Sequence, residues 1–449
     1  MYRLCRTWRL ISCASLALGA APFASAQTGS SQPTGDGRSQ SVAITDVTVI
    51  DVATGRLQNG VTVVTQGERI VGIAPRVTIP RGATRVNGNG KFLIPGLWDM
   101  HSHHQGTGAD CLDLFIAKGI VGTRDMGGDT DFILPLRERV KSGAVLGPEI
   151  VAAGPILDDA PSYPYRRRVT NAQQAREAVA DLKRAGVDFI KVHDHTPREV
   201  FFTIAEGAPK LGLPFAGHVP QGVKVEEAAD AGIRSIEHLS NYDVFGECLV
   251  NDSYTLAGCR RLFEKLAAKG VWQTPTLTFF ETIPDVFSGR PIEHAEYASD
   301  SLLKLTRDNV EVSHVPASTL EKMRLAGQVS LQVLQDMYSL GNRFLAGCDG
   351  LVPGFCLHDE LEWFTKAGFS PLQALQTATI NPAHFLGRED TQGAIEVGKR
   401  ADLILLDANP LVDIRNVAHI ENVVVRGKLV TKQAIDKILA SHRRAGGAK

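Results

Sequence analysis

From Leu97 to Gly387 the chain alternates short apolar runs with helical stretches, among them NAQQAREAVADLKRAG, REVFFTIAEGAPKLG and VEEAADAG. A strand that leads into a helix and then into another strand returns parallel to the first, so repeated units build a parallel sheet covered by helices. A span of roughly 290 residues suffices for eight such units, which typically take about 250. Residues 97–387 are therefore predicted to form an α/β fold, a (β/α)8 barrel of the TIM type. The surplus length is placed between Phe279 and Phe344, in a charged, helix-rich insertion.

Both ends of the chain read differently. SVAITDVTVIDV, GVTVVTQGERIVGI and KFLIPGL near the start, and GAIEVGKRADLILLD and ENVVVRGKLVTK near the end, are β-rich runs separated by Gly and Asn turns. They predict one small composite β-sandwich domain from residues 41–96 and 388–435. Ahead of it, residues 1–26 read as a secretory signal, with Arg3, Arg6 and Arg9, an apolar run, and Ala24-Ser25-Ala26 as the cleavage site. Residues 27–40 form a flexible polar segment. The mature chain is expected in the periplasm or outside the cell.

Removing the leader takes the formal charge from -1 to -4, which leaves no basic footprint for nucleic acid or for an anionic membrane surface. No later stretch has the roughly 20 uninterrupted apolar residues of a membrane span. The expected partner is a small molecule or dipeptide, and self-association is left open. Of the cysteines that outlast the leader, Cys248 and Cys259 flank a polar stretch where a disulfide is one reading in an oxidising compartment. Cys348 reads as a buried apolar thiol.

Several polar residues punctuate the ends of the apolar runs. His101 and His103 in PGLWDMHSHH stand at i and i+2, so an extended strand turns both imidazoles to one face, where they can converge on a metal ion. Lys191 in FIKVHDH, His218 in FAGHVP, His238 in SIEHLS and Asp349 in FLAGCDG each lie in or just after a similar run. In a barrel these positions meet at the C-terminal mouth of the first, fourth, fifth, sixth and eighth strands, where catalytic groups of the fold sit.

The order HxH, Lys, His, His, Asp resembles the amidohydrolase superfamily, in the branch with two metals bridged by a carboxylated lysine. PGLWDMHSHH is similar to its first-strand motif, NPAHFLG with GAIEVGKRADLILLD to its closing signature, and the match spans nearly all of the mature chain. GTRDMGG, IKV, GHVP, IEH and LHDELEWF resemble its prolidase-like and imidazolonepropionase-like hydrolases. The resemblance implies a more buried metal on His101, His103 and Asp349, a second on His218 and His238, and N6-carboxylated Lys191 between them. Two divalent ions, zinc being the expected metal, would share a bridging hydroxide as nucleophile, with Asp349 as base. The implied activity is hydrolysis of an amide or peptide C–N bond in a dipeptide or N-acyl amino acid. Two alternatives stand beside it: hydrolysis of a cyclic amide, lactone or ester at the same site, or a non-catalytic exported binding protein with a structural metal.

Each residue also has a plainer reading. Lys191 as an unmodified ammonium would leave one metal, with His238 donating to substrate. His104 points away from His103 and suits packing. Arg124 either clamps a substrate carboxylate or pairs with an acid. His193 is a substrate contact, a spare ligand or a neighbour of the ligands, and His358 is a candidate for substrate recognition. Tyr163, Tyr165 and Arg166 to Arg168 read as a solvated charged loop rather than a substrate rim.

Overall fold

The computed structural model describes residues 40–444, apart from 161–164, 241–245, 247–252, 289, 291, 299–315 and 351. The secretory signal, the polar segment up to residue 39 and Cys248 lie outside the described residues.

The middle of the chain is α/β with parallel sheets. Three strands, Leu97–Ser102, Ile120–Asp125 and Glu149–Ala152, pair in that order. A second parallel sheet runs in the order Arg166–Arg168, Ile156–Asp158, Ile190–Val192, Phe215–Gly217, Ser235–Glu237, Trp272–Thr274 and Arg343–Phe344. Hydrogen bonds cross both gaps between the sheets: Asp188 N donates to Ala152 O at 2.8 Å, and Met100 N to Ala346 O at 2.9 Å. All residues of Leu97–Ser102 and Ile120–Asp125 are buried, as expected of parallel strands covered on both faces.

The helices between strands follow from their apolar spacing. In Ala172–Ala185, the residues Ala175, Ala178, Val179 and Leu182 recur at helical period and are buried. Asn171 accepts from Gln174 N to cap its start, and Gly186, at φ 87°, ends it in the left-handed region. The helix Ala317–Ser339 and all but the first two residues of Leu277–Phe287 fall within the predicted insertion.

Segments from the two ends meet in one eight-stranded mixed sheet. Its join is the antiparallel pairing of Leu403–Leu406 with Phe92–Pro95, which sets Ile404 opposite Ile94. One face buries an apolar cluster of its own, including Val42, Ile44, Val63, Leu403 and Val424. Ile94, Ile404 and Val423 from the same strands join the larger core under the parallel sheets instead. The sheet therefore alternates its apolar residues between two cores.

One cysteine departs from expectation: Cys348 is bonded to Cys356 rather than being a free apolar thiol. Cys259 is in a disulfide, in keeping with the reading that pairs it. Cys111 remains a free, buried cysteine. The short turn after Asp349 folds back, bringing Cys356 to within a Cα separation of 5.7 Å of Cys348, a return that strand alternation alone does not reveal.

Candidate metal centre and active site

The residues singled out at strand ends converge. His101 ends the strand Leu97–Ser102, Lys191 lies in Ile190–Val192, and His218, His238 and Asp349 follow Phe215–Gly217, Ser235–Glu237 and Arg343–Phe344. Gly347 makes one approach possible. A Cβ there would lie 2.6 Å from His101 N, so only glycine lets the last strand run this close to the first. Asp349 N then donates to His101 O at 2.9 Å. His238, Thr276 and Asp349 all adopt left-handed backbone, at φ 55°, 50° and 46°. Non-glycine residues held there carry a strain of about 1–3 kcal/mol each, which commonly accumulates at functional sites.

Hydrogen bonds fix the tautomers of the four histidines. Each directs Nδ1 to an oxygen: His101 to Glu237 Oε2 at 3.0 Å, His103 to Gly127 O at 3.1 Å, His218 to Asp194 Oδ1 at 2.7 Å and His238 to Thr276 Oγ1 at 2.6 Å. A carbonyl and a carboxylate accept only. Thr276 gives its hydroxyl proton to Pro275 O, so it too accepts from His238. All four Nδ1 atoms therefore carry the proton, and all four Nε2 atoms present lone pairs.

Those lone pairs face an anion. The Nε2 atoms of His101, His103 and His238 stand 3.8, 3.7 and 3.6 Å from Asp349 carboxylate oxygens. Acceptors facing an acceptor repel one another unless a cation lies between them. Two ligand atoms about 2.0–2.2 Å from a shared ion stand roughly 3.4 Å apart at a tetrahedral angle, close to the separations here. His101 Nε2 is buried without a hydrogen-bond partner, and His101, His238 and Asp349 offer ligand atoms all within 4.8 Å of one another. The donor set fits a divalent metal.

The electrostatics agree. Burial, reinforced by neighbouring imidazoles and Lys191, holds His101 and His238 well below the usual histidine range, and burial holds His103 down to about 4. All three are neutral at physiological pH, as metal ligation requires. Lys191 is buried, and burial lowers its pKa against the pull of Glu237 and Asp349. Burial raises that of Asp349, with Asp99 and Glu237 adding to the effect and Lys191 opposing it.

His238, expected to share the second metal with His218, has its ring 4.9 Å from that of His218 and also offers a ligand atom in a group with His101 and Asp349. His218 offers one in a group with Asp194 and His193. Its ring stacks on that of His193 with centroids 3.8 Å apart, and His193 also meets the Arg166 guanidinium. Arg166 is not part of a solvated loop: its side chain is 2% exposed and it is ion-paired with Asp158.

Two expected substrate contacts are corrected. Arg124 is 1% exposed and points into the sheet interior, with Nε on Met100 O at 2.7 Å and its terminal nitrogens on Ser235, Thr274 and Glu237. A guanidinium so buried and so engaged is not available to clamp a substrate carboxylate; the paired-acid reading holds, with Glu237 as the acid. His358 sits on the helix Cys356–Lys366, buried, and donates from Nε2 to Lys118 O at 2.8 Å. That bond turns it into the protein, away from a substrate. His104 is buried and bonded to Thr123, in keeping with a packing role.

Glu237, Asp194 and Thr276, which set the tautomers, were not picked out from the sequence. Glu237 alone carried a signal, an acid inside the apolar run SIE where a buried charge requires a partner. Beside Asp349 opens a cavity of about 320 Å³, walled by Phe279, Phe355 and Trp363 and edged by Glu293 and Asp359.

The amidohydrolase family profile matches residues 92–430, and the chain belongs to that family. It is a hydrolase acting on C–N bonds. It is 25% identical over 354 residues to 5'-deoxyadenosine deaminase of Methanobrevibacter smithii, covering 72% of this chain and 74% of that protein. It is 24% identical over 405 residues to imidazolonepropionase of Alkaliphilus oremlandii, covering 84% and 92%. Among solved structures, a putative prolidase from Bifidobacterium longum superposes with a TM-score of 0.70 at 24% identity, covering 91% of this chain and all of that one.

Proposed function

We propose that this protein is an exported hydrolase of small amides, a dipeptide or N-acyl amino acid, working with two divalent metals. Zinc is the proposed metal, and Lys191 the N6-carboxylated bridge between the two ions. The parallel strands are proposed to close as an eight-stranded barrel, a reading supported by the hydrogen bonds across both sheet gaps. The β segments from the two ends form its companion sandwich domain.

One observation carries the reading: three imidazoles with Nδ1 tied down, those of His101, His103 and His238, turn their Nε2 lone pairs to within 3.8 Å of the Asp349 carboxylate, and the ring of His218 lies 4.9 Å from that of His238. His101, His103 and Asp349 would hold one ion, His218 the other, and His238, next to Asp349, stands where it can serve either. Metal ions bound there lower the pKa of a water and polarise the scissile carbonyl.

The chain's own groups do the rest. Asp349 takes the proton that the attacking water gives up and delivers it from a carboxylate oxygen to the leaving amine nitrogen. Glu237, Asp194, Gly127 O and Thr276 hold the imidazoles in place meanwhile. The cavity beside Asp349 suits a small substrate. Burial favours the neutral amine of Lys191, the form that takes up carbon dioxide to become a carbamate.

Elemental analysis of reconstituted protein tests this directly. The expected content is about two divalent ions per chain, falling together with activity in His101→Ala and His103→Ala while the fold persists. Saturation at one ion would replace the paired-metal reading by a single-metal one with His238 as a substrate donor.

A further inference from the structure

We propose that Arg124 and Glu237 are a buried positioning pair that holds His101 in the orientation and tautomer in which its Nε2 serves as a metal ligand. The inference rests on the metal centre proposed above. It assigns a task to an arginine that the substrate does not reach.

The geometry is one of saturation. Glu237 is wholly buried, with Oε2 accepting from His101 Nδ1 at 3.0 Å and from Arg124 at 2.9 Å. Its Oε1 accepts from Arg124 at 3.0 Å and from the Ser235 hydroxyl. Arg124 comes from the strand Ile120–Asp125, on the other parallel sheet, and is itself pinned by Met100 O, Ser235 Oγ and Thr274 Oγ1 at 2.7, 2.8 and 3.1 Å. The carboxylate plane is thus set by the guanidinium and the serine, and that plane sets the imidazole. His101 O and N are held as well, by Asp349 N and by Asp99 Oδ1. The ring is the remaining freedom, and Glu237 removes it.

Stability alone is a poor account of such a pair. Taking two charges out of water is costly, and a buried ion pair replaced by apolar side chains of similar size is often neutral or more stable. Partners that orient metal-bound histidines, by contrast, typically alter metal affinity 10- to 100-fold when lost. Met100 O, the acceptor of Arg124 Nε, precedes His101 directly, so the guanidinium grips both the backbone before the ligand and the acid behind its ring.

The two roles separate in the double variant Arg124→Met/Glu237→Met, which removes both charges and orphans neither. The metal-free protein is followed by circular dichroism and thermal melting, metal affinity by competition with a chromophoric chelator, and ligand geometry by the visible spectrum of the Co(II)-loaded protein. The expected result is a folded protein with metal affinity down by roughly 10- to 100-fold and an altered Co(II) spectrum. A folded double variant with the wild-type affinity and spectrum overturns the proposal. Should the double variant not fold, the isosteric Glu237→Gln is read by the same two measurements against the same two outcomes. Wild-type protein that retains no metal overturns the centre itself and this inference with it, whereas normal metal binding in both wild type and variant overturns the positioning role alone.

Discussion

Asp349 is asked to be ligand and proton carrier at once, and substitutions can separate the two tasks. Asp349→Asn keeps an oxygen toward the metals but accepts no proton, so turnover should fall by roughly 10² to 10⁴ while much of the metal stays bound; Asp349→Ala should lose both. Near-normal turnover by the Asn variant at full metal content would move the proton transfer to another group. Lys191 admits a similar separation. Lys191→Ala should lose metal and activity, with partial recovery in bicarbonate or a short carboxylic acid, and Lys191→Arg should not recover, since a guanidinium forms no carbamate at ordinary pH. A fully active Arg variant with normal metal content would remove the bridge. The ligand candidates were legible in the sequence because strand ends are marked by polar residues after apolar runs, and His101 and His103 share a face by alternation. Their partners were not. Glu237 lies 136 positions from His101 and Thr276 lies 38 from His238, pairings that only the closing of the sheets creates. Arg124 shows the same limit: an arginine at a strand end reads alike whether it faces the mouth or the interior.

Helix positions were easier to foresee than the side chains they deploy. The segment at 172–185 has the spacing and the caps of its helix written locally in Ala175, Leu182, Asn171 and Gly186. His358 does not, since its partner is a carbonyl on a distant turn. Burial, with the nearby charge of Lys118, holds its pKa down to about 3, and the bond to Lys118 O opposes this only in part. The folded value lies below the ordinary one, so its neutral form contributes stability fully above about pH 6.5 and loses that contribution as pH falls toward 3. His358→Gln keeps a donor for the carbonyl and does not titrate. Its melting temperature should fall less steeply than that of wild type between pH 6.5 and 4.5, a difference worth at most a few kcal/mol. Parallel curves for the two proteins would mean that His358 charges without penalty. The link Cys348–Cys356 belongs to this scale too, tying the turn that carries Asp349 to the helix that carries His358.

At the scale of the molecule, alternation of apolar runs and helices announced parallel α/β architecture, and β-rich runs at both ends announced that they would meet. The antiparallel register that joins Leu403–Leu406 to Phe92–Pro95 was not announced, because apolar strands of this kind pair equally well in several registers until the cores on their two faces choose one. The joined ends bracket the parallel strands whose C-terminal tips gather His101, His218, His238 and Asp349. The most direct measurement of the whole account is hydrolysis of a mixed library of dipeptides and N-acyl amino acids by the purified protein, before chelation, after it, and after divalent metal is restored. The account predicts release of a free amine from at least one substrate, its loss on chelation, and its return with about two ions per chain. Amide hydrolysis that continues undiminished in protein stripped of metal would contradict it.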